Sequence, residues 1–246
     1  MTKSLDQFAG AYDPDARYSL DARLISDWYP RRVVEKSSGN SLLELGIGHG
    51  RAVSFFSDNF DHHCVVEGSE EVIRKYIKNY GGSNSEIVHG YFESFNTDEK
   101  FDYISMGFVL EHVEDPVLIL KRFSRFLKAS GVMYIAVPNA TSLHRRLGVV
   151  AGFLGDIKQL SEDDLKLGHR RYYDIADLQT DVRRAGLCEH SLEGIFLKPF
   201  TTGQLEKLSL PPEVFEALMV VGKDYPELCN AILMEVELPV FPDLDC

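Results

Sequence analysis

The sequence predicts an α/β fold in which a parallel sheet carries helices on both faces. Short apolar runs alternate along the chain with segments of helical periodicity. The first run also leads into a glycine-rich turn, Gly46-Ile47-Gly48-His49-Gly50, as strands of such sheets do before a helix. The chain has 246 residues, 44% of them apolar, and no Pro/Ser-rich linker. We therefore expect one domain over residues 1–246.

The apolar runs give the positions of the strands. Five strands are predicted in the first part of the chain, at 41–45, 62–67, 86–89, 101–106 and 131–137. Two more are predicted near the end of the chain, at 187–197 and 230–238.

Two helices have clear boundaries in the sequence. The first begins after the fourth strand, where Asp115 can cap it and Pro116 suits its first turn. Its predicted apolar face consists of Val117, Leu120, Phe123 and Leu127, and Gly131 then interrupts the pattern. The second helix is predicted to begin at Asp174 and to end at Gly186.

Charge and composition argue against several kinds of partner. The formal net charge of −12 argues against a nucleic-acid partner, because affinity for phosphate backbones comes mainly from Lys and Arg. The four cysteines lie far apart, so we expect neither a zinc site nor a disulfide framework, which fits a reducing cytoplasm. The sequence has neither an apolar signal core near its start nor a run of about 18 apolar residues. It therefore predicts neither secretion nor a membrane span. A small-molecule substrate is expected, and the oligomeric state stays open.

The glycine-rich turn has the spacing G-x-G-x-G. A dinucleotide-binding fingerprint would need its third glycine at the position of Arg51. The second strand ends at Glu67, 21 residues after Gly46, where an acid can accept both hydroxyls of a ribose. The pattern therefore favours a nucleoside ligand over a nicotinamide dinucleotide.

Four stretches, taken in order, resemble the class I S-adenosylmethionine-dependent methyltransferases, and among them the small-molecule group that includes the ubiquinone-biosynthesis O-methyltransferases. They are the glycine turn at 44–50, Val65-Val66-Glu67-Gly68, the fourth strand with Leu110-Glu111-His112-Val113, and 127–139. The resemblance implies a Rossmann-like seven-stranded sheet with a terminal antiparallel hairpin. It also implies an N-terminal cap over residues 1–40. Residues 139–173 are longer than a connection in an α/β unit usually needs, so they are predicted to form a substrate-site insertion at the carboxyl end of the sheet.

The resemblance implies S-adenosylmethionine as the cofactor. Glu44 is expected beside the methionine end, where its charge would favour the sulfonium, and Glu67 at the ribose. The family's usual acid after the third strand is missing, so Tyr91, or Phe92 with Glu93, is expected at the adenine. The predicted cofactor-binding residues are Glu44, Gly46, Gly48, Gly50, Glu67, Gly68, Tyr91, Phe92 and Met106. No metal ligand is predicted.

Methyl transfer is a direct displacement, so a base is needed only when the attacking atom keeps its proton at neutral pH. His112 and His169 are the candidate catalytic residues, with the alternative that His112 braces its loop and His169 lies in a solvated basic turn. Tyr12, Arg170 and Arg171 are the predicted substrate-binding residues. The segment around Tyr12 resembles the family's cap, so Tyr12 is expected to close over the site, where its ring could face the sulfonium. Arg170 and Arg171 are expected to meet an anionic acceptor such as a sugar nucleotide, because guanidinium groups suit anionic groups. The alternative to acceptor binding is that these arginines pair with acids of the same stretch.

Three other functions are weighed against this one. A nucleic-acid methyltransferase usually carries an Asn/Asp-Pro-Pro-aromatic stretch where this chain has Met106-Gly107-Phe108-Val109. A NAD-dependent oxidoreductase is disfavoured by Arg51. A methyltransferase-like binding module without catalysis would show a broken glycine turn or lack the acid. In this sequence the glycine turn is intact and the acid is present.

Overall fold

Seven strands form one sheet in this computed structural model, which describes residues 5–12, 19–81 and 83–239. The strands are β1 (Ser41–Leu45), β2 (His62–Glu67), β3 (Glu86–His89), β4 (Phe101–Gly107), β5 (Leu127–Pro138), β6 (Cys188–Ile195) and β7 (Ala231–Glu237). Their spatial order is β3-β2-β1-β4-β5-β7-β6, with β1 to β5 parallel and β7 antiparallel to both of its neighbours. The predicted seven-stranded sheet with a terminal antiparallel hairpin is confirmed.

Helices cover both faces of the sheet. A short 3-10 helix (Leu5–Tyr12) precedes α1 (Ser19–Lys36), α2 (Arg51–Ser57), α3 (Glu70–Tyr80), α4 (Pro116–Ser124), α5 (Leu143–Val150), α6 (Glu162–Leu167), α7 (Ile175–Arg184), α8 (Thr202–Leu208) and α9 (Pro212–Gly222). As predicted, Asp115 caps α4 and Asp174 caps α7, each accepting a backbone N–H of the first turn.

The strands alternate their side chains between two apolar cores. In β5, Met133, Ile135 and Val137 point to the face covered by α4 and α7. Tyr134 and Ala136 point to the opposite face, which α1, α2, α8 and α9 cover. This two-residue period lets a central strand such as β5 contribute side chains to both cores.

The fifth strand begins earlier than predicted. Leu127, predicted on the apolar face of the preceding helix, instead pairs with Phe101 of β4, and α4 ends at Ser124. Gly131 does not interrupt the structure, since it lies inside β5. A Cβ there would lie 3.0 Å from the carbonyl oxygen of Asp102, so the glycine permits a close backbone approach beside a register shift.

Three observations complete the fold. Residues 19–36, inside the predicted cap, form α1, which buries Trp28 and Val33 against the sheet. Cys188 is disulfide-bonded, which the scattered cysteines did not predict. No helix among the described residues is long and apolar enough to span a membrane.

The carboxyl ends of β1, β2, β4 and β5 meet at one edge, where ligands bind in such sheets.

Candidate active site

The backbone of the glycine turn lies open at this edge. Gly46 and Gly48 adopt φ angles of 82° and 52°, which side chains rarely tolerate. A Cβ at Gly48 would meet no described atom within 4 Å, and one at Gly46 would meet only the Phe92 ring, at 3.9 Å. Packing among the described residues therefore does not require these glycines. They leave open backbone surface, as a nucleoside cofactor resting on the turn would need.

Gly50 also has a packing role, and its contact with the cofactor stays a prediction. A Cβ at Gly50 would lie 2.6 Å from Tyr76 and 2.8 Å from Tyr80, both on α3. Its N–H donates to the carbonyl of Ile47 at 2.9 Å. Gly50 therefore allows α3 to pack closely against the start of α2.

The carboxylate of Glu67 is fixed beside the turn. One oxygen accepts the N–H of Ile47 at 2.9 Å and the other accepts the N–H of Ser69 at 2.7 Å. Burial raises the pKa of Glu67, while these backbone donors act to lower it. A carboxylate has about four acceptor positions, so lone pairs stay free for further donors such as ribose hydroxyls.

The predicted adenine residues surround the same acid. Gly90, directly after β3, donates its N–H to the carbonyl of Glu67 at 2.9 Å. The Tyr91 ring, 41% exposed, lies 3.5 Å from where a Cβ of Gly68 would be. Phe92 points towards Gly46. The structure thus brings Gly68, Tyr91 and Phe92 to one place at the ends of β2 and β3.

Glu44 and Met106 lie in the core. The Glu44 carboxylate is 2% exposed and lies 3.1 Å from Nε2 of His63. Its predicted place beside the methionine end of the cofactor stays a prediction. Burial raises the pKa of Glu44, and the bond to His63 opposes this. The Met106 side chain is fully buried in the apolar core. The contact predicted for Met106, from its backbone carbonyl to the ammonium of the cofactor, stays a prediction.

His112 and His169, the two predicted catalytic residues, lie in contact. Their ring centroids are 4.8 Å apart and the rings meet edge to face. Burial, together with the charge of His169, lowers the pKa of His112 to about 3. Burial also lowers the pKa of His169, although Asp164 opposes the shift. Both imidazoles are therefore neutral near pH 7.

Glu111 joins this pair, and sequence reasoning missed it. Its carboxylate is fully buried, and neither oxygen has a hydrogen-bond partner among the described residues. Burial raises its pKa to about 8. The available signal was its place beside His112 in the segment that carries the family resemblance.

The structure changes the role predicted for Arg171. Its guanidinium donates to the carbonyls of Leu110, Val113 and Glu114 at 2.8, 2.7 and 3.2 Å. The backbone N–H of Arg170 donates to the carbonyl of Glu111 at 2.8 Å, while its side chain is exposed. Arg171 therefore braces the 110–114 loop, and only Arg170 presents its guanidinium to solvent.

Phe108, directly after β4, is strained. It has a φ of 60°, in the left-handed region that residues other than glycine seldom occupy, and its N–H donates to the carbonyl of Ala136 at 2.8 Å. Such strain costs on the order of 1–3 kcal/mol and concentrates at functional sites. No sequence signal indicates a left-handed phenylalanine.

The N-terminal 3-10 helix contacts the site both near Glu67 and near His169. Asp6 accepts the hydroxyl of Ser69 at 2.6 Å and the N–H of Glu71 at 3.2 Å, beside Glu67. The Phe8 ring lies about 3.1 Å from where a Cβ of Gly168 would be, next to His169. The side chain of Tyr12, predicted to bind the acceptor, lies outside the described residues.

The sheet order and the glycine turn with its acid at the end of β2 define a class I methyltransferase fold. A family model described as a methyltransferase domain matches residues 17–191. The chain belongs to this methyltransferase-domain family, and the family and its neighbours are S-adenosylmethionine-dependent enzymes.

Curated relatives are small-molecule methyltransferases. The (S)-coclaurine N-methyltransferase of Papaver somniferum is 29% identical over 140 residues, 54% of this chain and 39% of that enzyme. The ubiquinone biosynthesis O-methyltransferase of Parvibaculum lavamentivorans is 23% identical over 188 residues, 76% of this chain and 70% of that enzyme. The matched segment thus spans well under half of the poppy enzyme.

Solved structures share the fold. A possible histamine N-methyltransferase from Thermotoga maritima superposes with a TM-score of 0.65 at 20% identity, covering 96% of this chain and all of that one. The N-methyltransferase NodS from Bradyrhizobium japonicum, in complex with S-adenosyl-L-homocysteine, gives a TM-score of 0.58 at 12% identity and covers 95% of this chain and 99% of that one. At these identities the likeness concerns the fold alone.

Proposed function

We propose that this protein transfers a methyl group from S-adenosylmethionine to a small-molecule acceptor. The observation that carries the proposal is the open glycine turn whose Ile47 N–H is bonded to the Glu67 carboxylate at 2.9 Å. That arrangement supplies open backbone for the methionine part and an acid for the ribose, side by side. When bound, the cofactor supplies a methyl group already activated by a sulfonium.

The chain's own contribution is largely positioning. Gly46 and Gly48 offer close backbone approach, Glu67 accepts from the ribose, and Phe92 packs beside the turn. Holding two reactants in line can lower a barrier by up to roughly 7–11 kcal/mol without any covalent intermediate. Strained Phe108 and the 110–114 loop then form the side from which an acceptor would approach.

His112 and His169 are proposed to serve the acceptor. Because both imidazoles are neutral near pH 7, each has a lone pair that can accept a proton, either from a hydroxyl as it attacks or from an ammonium before the resulting amine attacks. His112, with a pKa of about 3, is a weak base, so His169 is proposed as the main proton acceptor. The names of the relatives include both an O- and an N-methyltransferase, so either kind of acceptor atom fits the proposal.

An anionic group on the acceptor, such as that of a sugar nucleotide, is a finer proposal and depends on one residue. The guanidinium groups of Arg145, Arg146 and Arg171 all donate to backbone carbonyls. Arg170, whose side chain is exposed next to His169, is the arginine of this stretch best placed to meet such a group.

A NAD-dependent oxidoreductase is less compatible with the turn. Arg51 stands where a dinucleotide site needs glycine, and its guanidinium forms a bidentate pair with Asp27 at 2.6 and 2.7 Å. The third glycine of that fingerprint allows close packing of helix and strand, whereas this side chain extends to an ion pair on α1.

Calorimetric titration with S-adenosylhomocysteine and with NAD separates these functions. We expect one equivalent of S-adenosylhomocysteine to bind and NAD to give no heat. Transfer of labelled methyl from S-adenosylmethionine to a phenol and to a secondary amine then tests catalysis. Binding of NAD in place of S-adenosylhomocysteine would overturn the proposal, and cofactor binding without transfer to either acceptor would support the binding-module alternative.

A further inference from the structure

The carboxylate of Glu111 is the starting point, because neither of its oxygens has a hydrogen-bond partner in another described residue. It is fully buried at the end of the β4 loop. Its own backbone N–H and the charge of Arg171 favour its ionised form, but burial outweighs them. Leaving a buried polar group unpaired costs roughly 1–3 kcal/mol, and more for a charged one. A positively charged ligand at this position would remove that cost.

Two imidazoles stand beside the carboxylate. One potential ligand atom from each of Glu111, His112 and His169 lies within 4.8 Å of the other two. The imidazoles reach this place from distant segments, and the bond from the Arg170 N–H to the Glu111 carbonyl, at 2.8 Å, holds those segments together. This backbone hydrogen bond therefore fixes the segments that carry the three side chains relative to each other.

Each imidazole also has an outer partner of the kind that metal-binding histidines use. His112 is hydrogen-bonded to the backbone of Gly168. The Nδ1 atom of His169 is buried and lies 3.5 Å from a carboxylate oxygen of Asp164, which a small rotation would bring into bonding distance. Asp164 is itself held by the hydroxyls of Ser161 and Tyr172. Carboxylates and carbonyls that accept the second N–H fix the tautomer and orientation of a ligating imidazole.

We propose that Glu111, His112 and His169 bind one divalent transition-metal ion, with the two-histidine, one-carboxylate ligand set that zinc takes in open sites. Imidazole nitrogen and carboxylate oxygen are both common zinc ligands, at about 2.0–2.2 Å. Ligands of a tetrahedral ion at that distance lie about 3.4 Å apart, so the three groups would draw together on binding. This set is also the facial triad of iron(II) and suits other divalent ions of the series.

Three protein ligands leave a coordination position for a further group. Both imidazoles are only partly buried, so this position can be reached from outside. A bound ion would occupy the imidazole lone pairs, and the cluster would then act on an acceptor oxygen through the open position of the metal. The binding site itself stands whether or not the proposed methyl transfer is correct.

Zinc binding to the chelator-treated full chain tests this inference by calorimetry, and cobalt(II) provides a visible spectrum of the site. We expect one equivalent of zinc, and a cobalt spectrum typical of a four- or five-coordinate ion. Glu111→Gln and His169→Asn should each weaken zinc binding by at least about 100-fold. His190→Asn is the matched control, because His190 also lies beside a glutamate, Glu237, at 3.4 Å but is 57% exposed.

Binding of S-adenosylhomocysteine to the same variants separates this inference from the proposed function. We expect that affinity to stay within about twofold, since no hydrogen bond or ring contact among the described residues links the three groups to the glycine turn. If Glu111→Gln fails to give a cooperative thermal melt, His169→Asn alone decides. Zinc bound equally by parent and His169→Asn, or no zinc bound by the parent, would overturn the inference even where the cofactor binds normally.

Discussion

The Glu67 carboxylate and the Ile47 N–H form a hydrogen bond of 2.9 Å that ties the end of β2 to the glycine turn after β1. The second carboxylate oxygen accepts the Ser69 N–H at the start of α3. One side chain therefore holds the shape of the turn and presents an acid beside it. Changing this acid should affect both the ligand and the shape of the turn, since both hydrogen bonds are buried.

Glu67→Gln should weaken S-adenosylhomocysteine binding at least about tenfold. The amide removes the charge and turns an NH₂ group towards one of the two backbone donors, so a charge-assisted bond of roughly 1.5–3 kcal/mol is lost. Calorimetry measures the change. Glu70→Gln, an exposed acid in the first turn of α3, is the control and should bind like the parent. Equal affinities in both variants would remove Glu67 from the site.

Gly48→Ala and Gly50→Ala should separate binding from stability. At Gly50 the methyl group collides with Tyr76 and Tyr80, so we expect a loss of about 2 kcal/mol or more in the free energy of unfolding. At Gly48 the methyl group meets no described atom and instead occupies the open surface, so cofactor affinity should fall at least about tenfold for a stability loss near 1 kcal/mol. Denaturant unfolding and calorimetry on both variants check the contrast, which a reversed order would contradict.

Arg171→Ala should reduce stability, because three carbonyls lose their donor. We expect the free energy of unfolding to fall by about 2–4 kcal/mol, measured by denaturant unfolding. Arg170→Ala should leave stability within about 0.5 kcal/mol and, if the acceptor is anionic, raise its KM alone. An Arg171→Ala protein as stable as the parent would show that the loop does not need this brace.

Asp102 should make stability depend on acid pH. Burial acts to raise its pKa, but Lys128, the Ser41 hydroxyl and the N–H groups of Ser41 and Asn40 outweigh this and lower the pKa to about 2. A depressed pKa stabilises the fold above the unfolded value of about 3.9, and this contribution is lost as pH falls through the folded value.

Parent and Asp102→Asn should therefore differ by about 1–2 kcal/mol at pH 7, after allowance for solvent screening of this partly exposed group. The difference should shrink between about pH 4 and pH 2. Urea unfolding over this range measures it, with exposed Asp98→Asn as control. A difference that does not change with pH would rule out the carboxylate as its source.

Removing residues 1–12 should leave the sheet folded and weaken cofactor binding. Asp6 and Phe8 contact Ser69 and Gly168, on the two sides of the site, while α1 and both apolar cores are retained. A cooperative melt together with an increased dissociation constant for S-adenosylhomocysteine is expected. Unchanged affinity in the truncated chain would remove the segment from the cofactor site.

The sequence predicted several features that depend on neighbouring residues. The strands follow from runs of alternating or continuous apolar residues, and the starts of α4 and α7 follow from Asp115 and Asp174. The glycine turn and Glu67 were identifiable because both lie at strand ends at a fixed spacing. Helix caps, turns and strand periods are set by backbone geometry within a few residues, so a single sequence displays them.

Tertiary contacts alone decided the rest. Gly46 and Gly50 look equivalent in sequence, yet only the approach of α3 makes Gly50 a packing residue. Leu127 fits a helix period but joins β5, because pairing with Phe101 outweighs local preference. Glu111 becomes an unpaired buried acid beside His169 only when residues far apart in the chain are folded together. Burial and long-range pairing depend on the whole fold, and local pattern does not encode them.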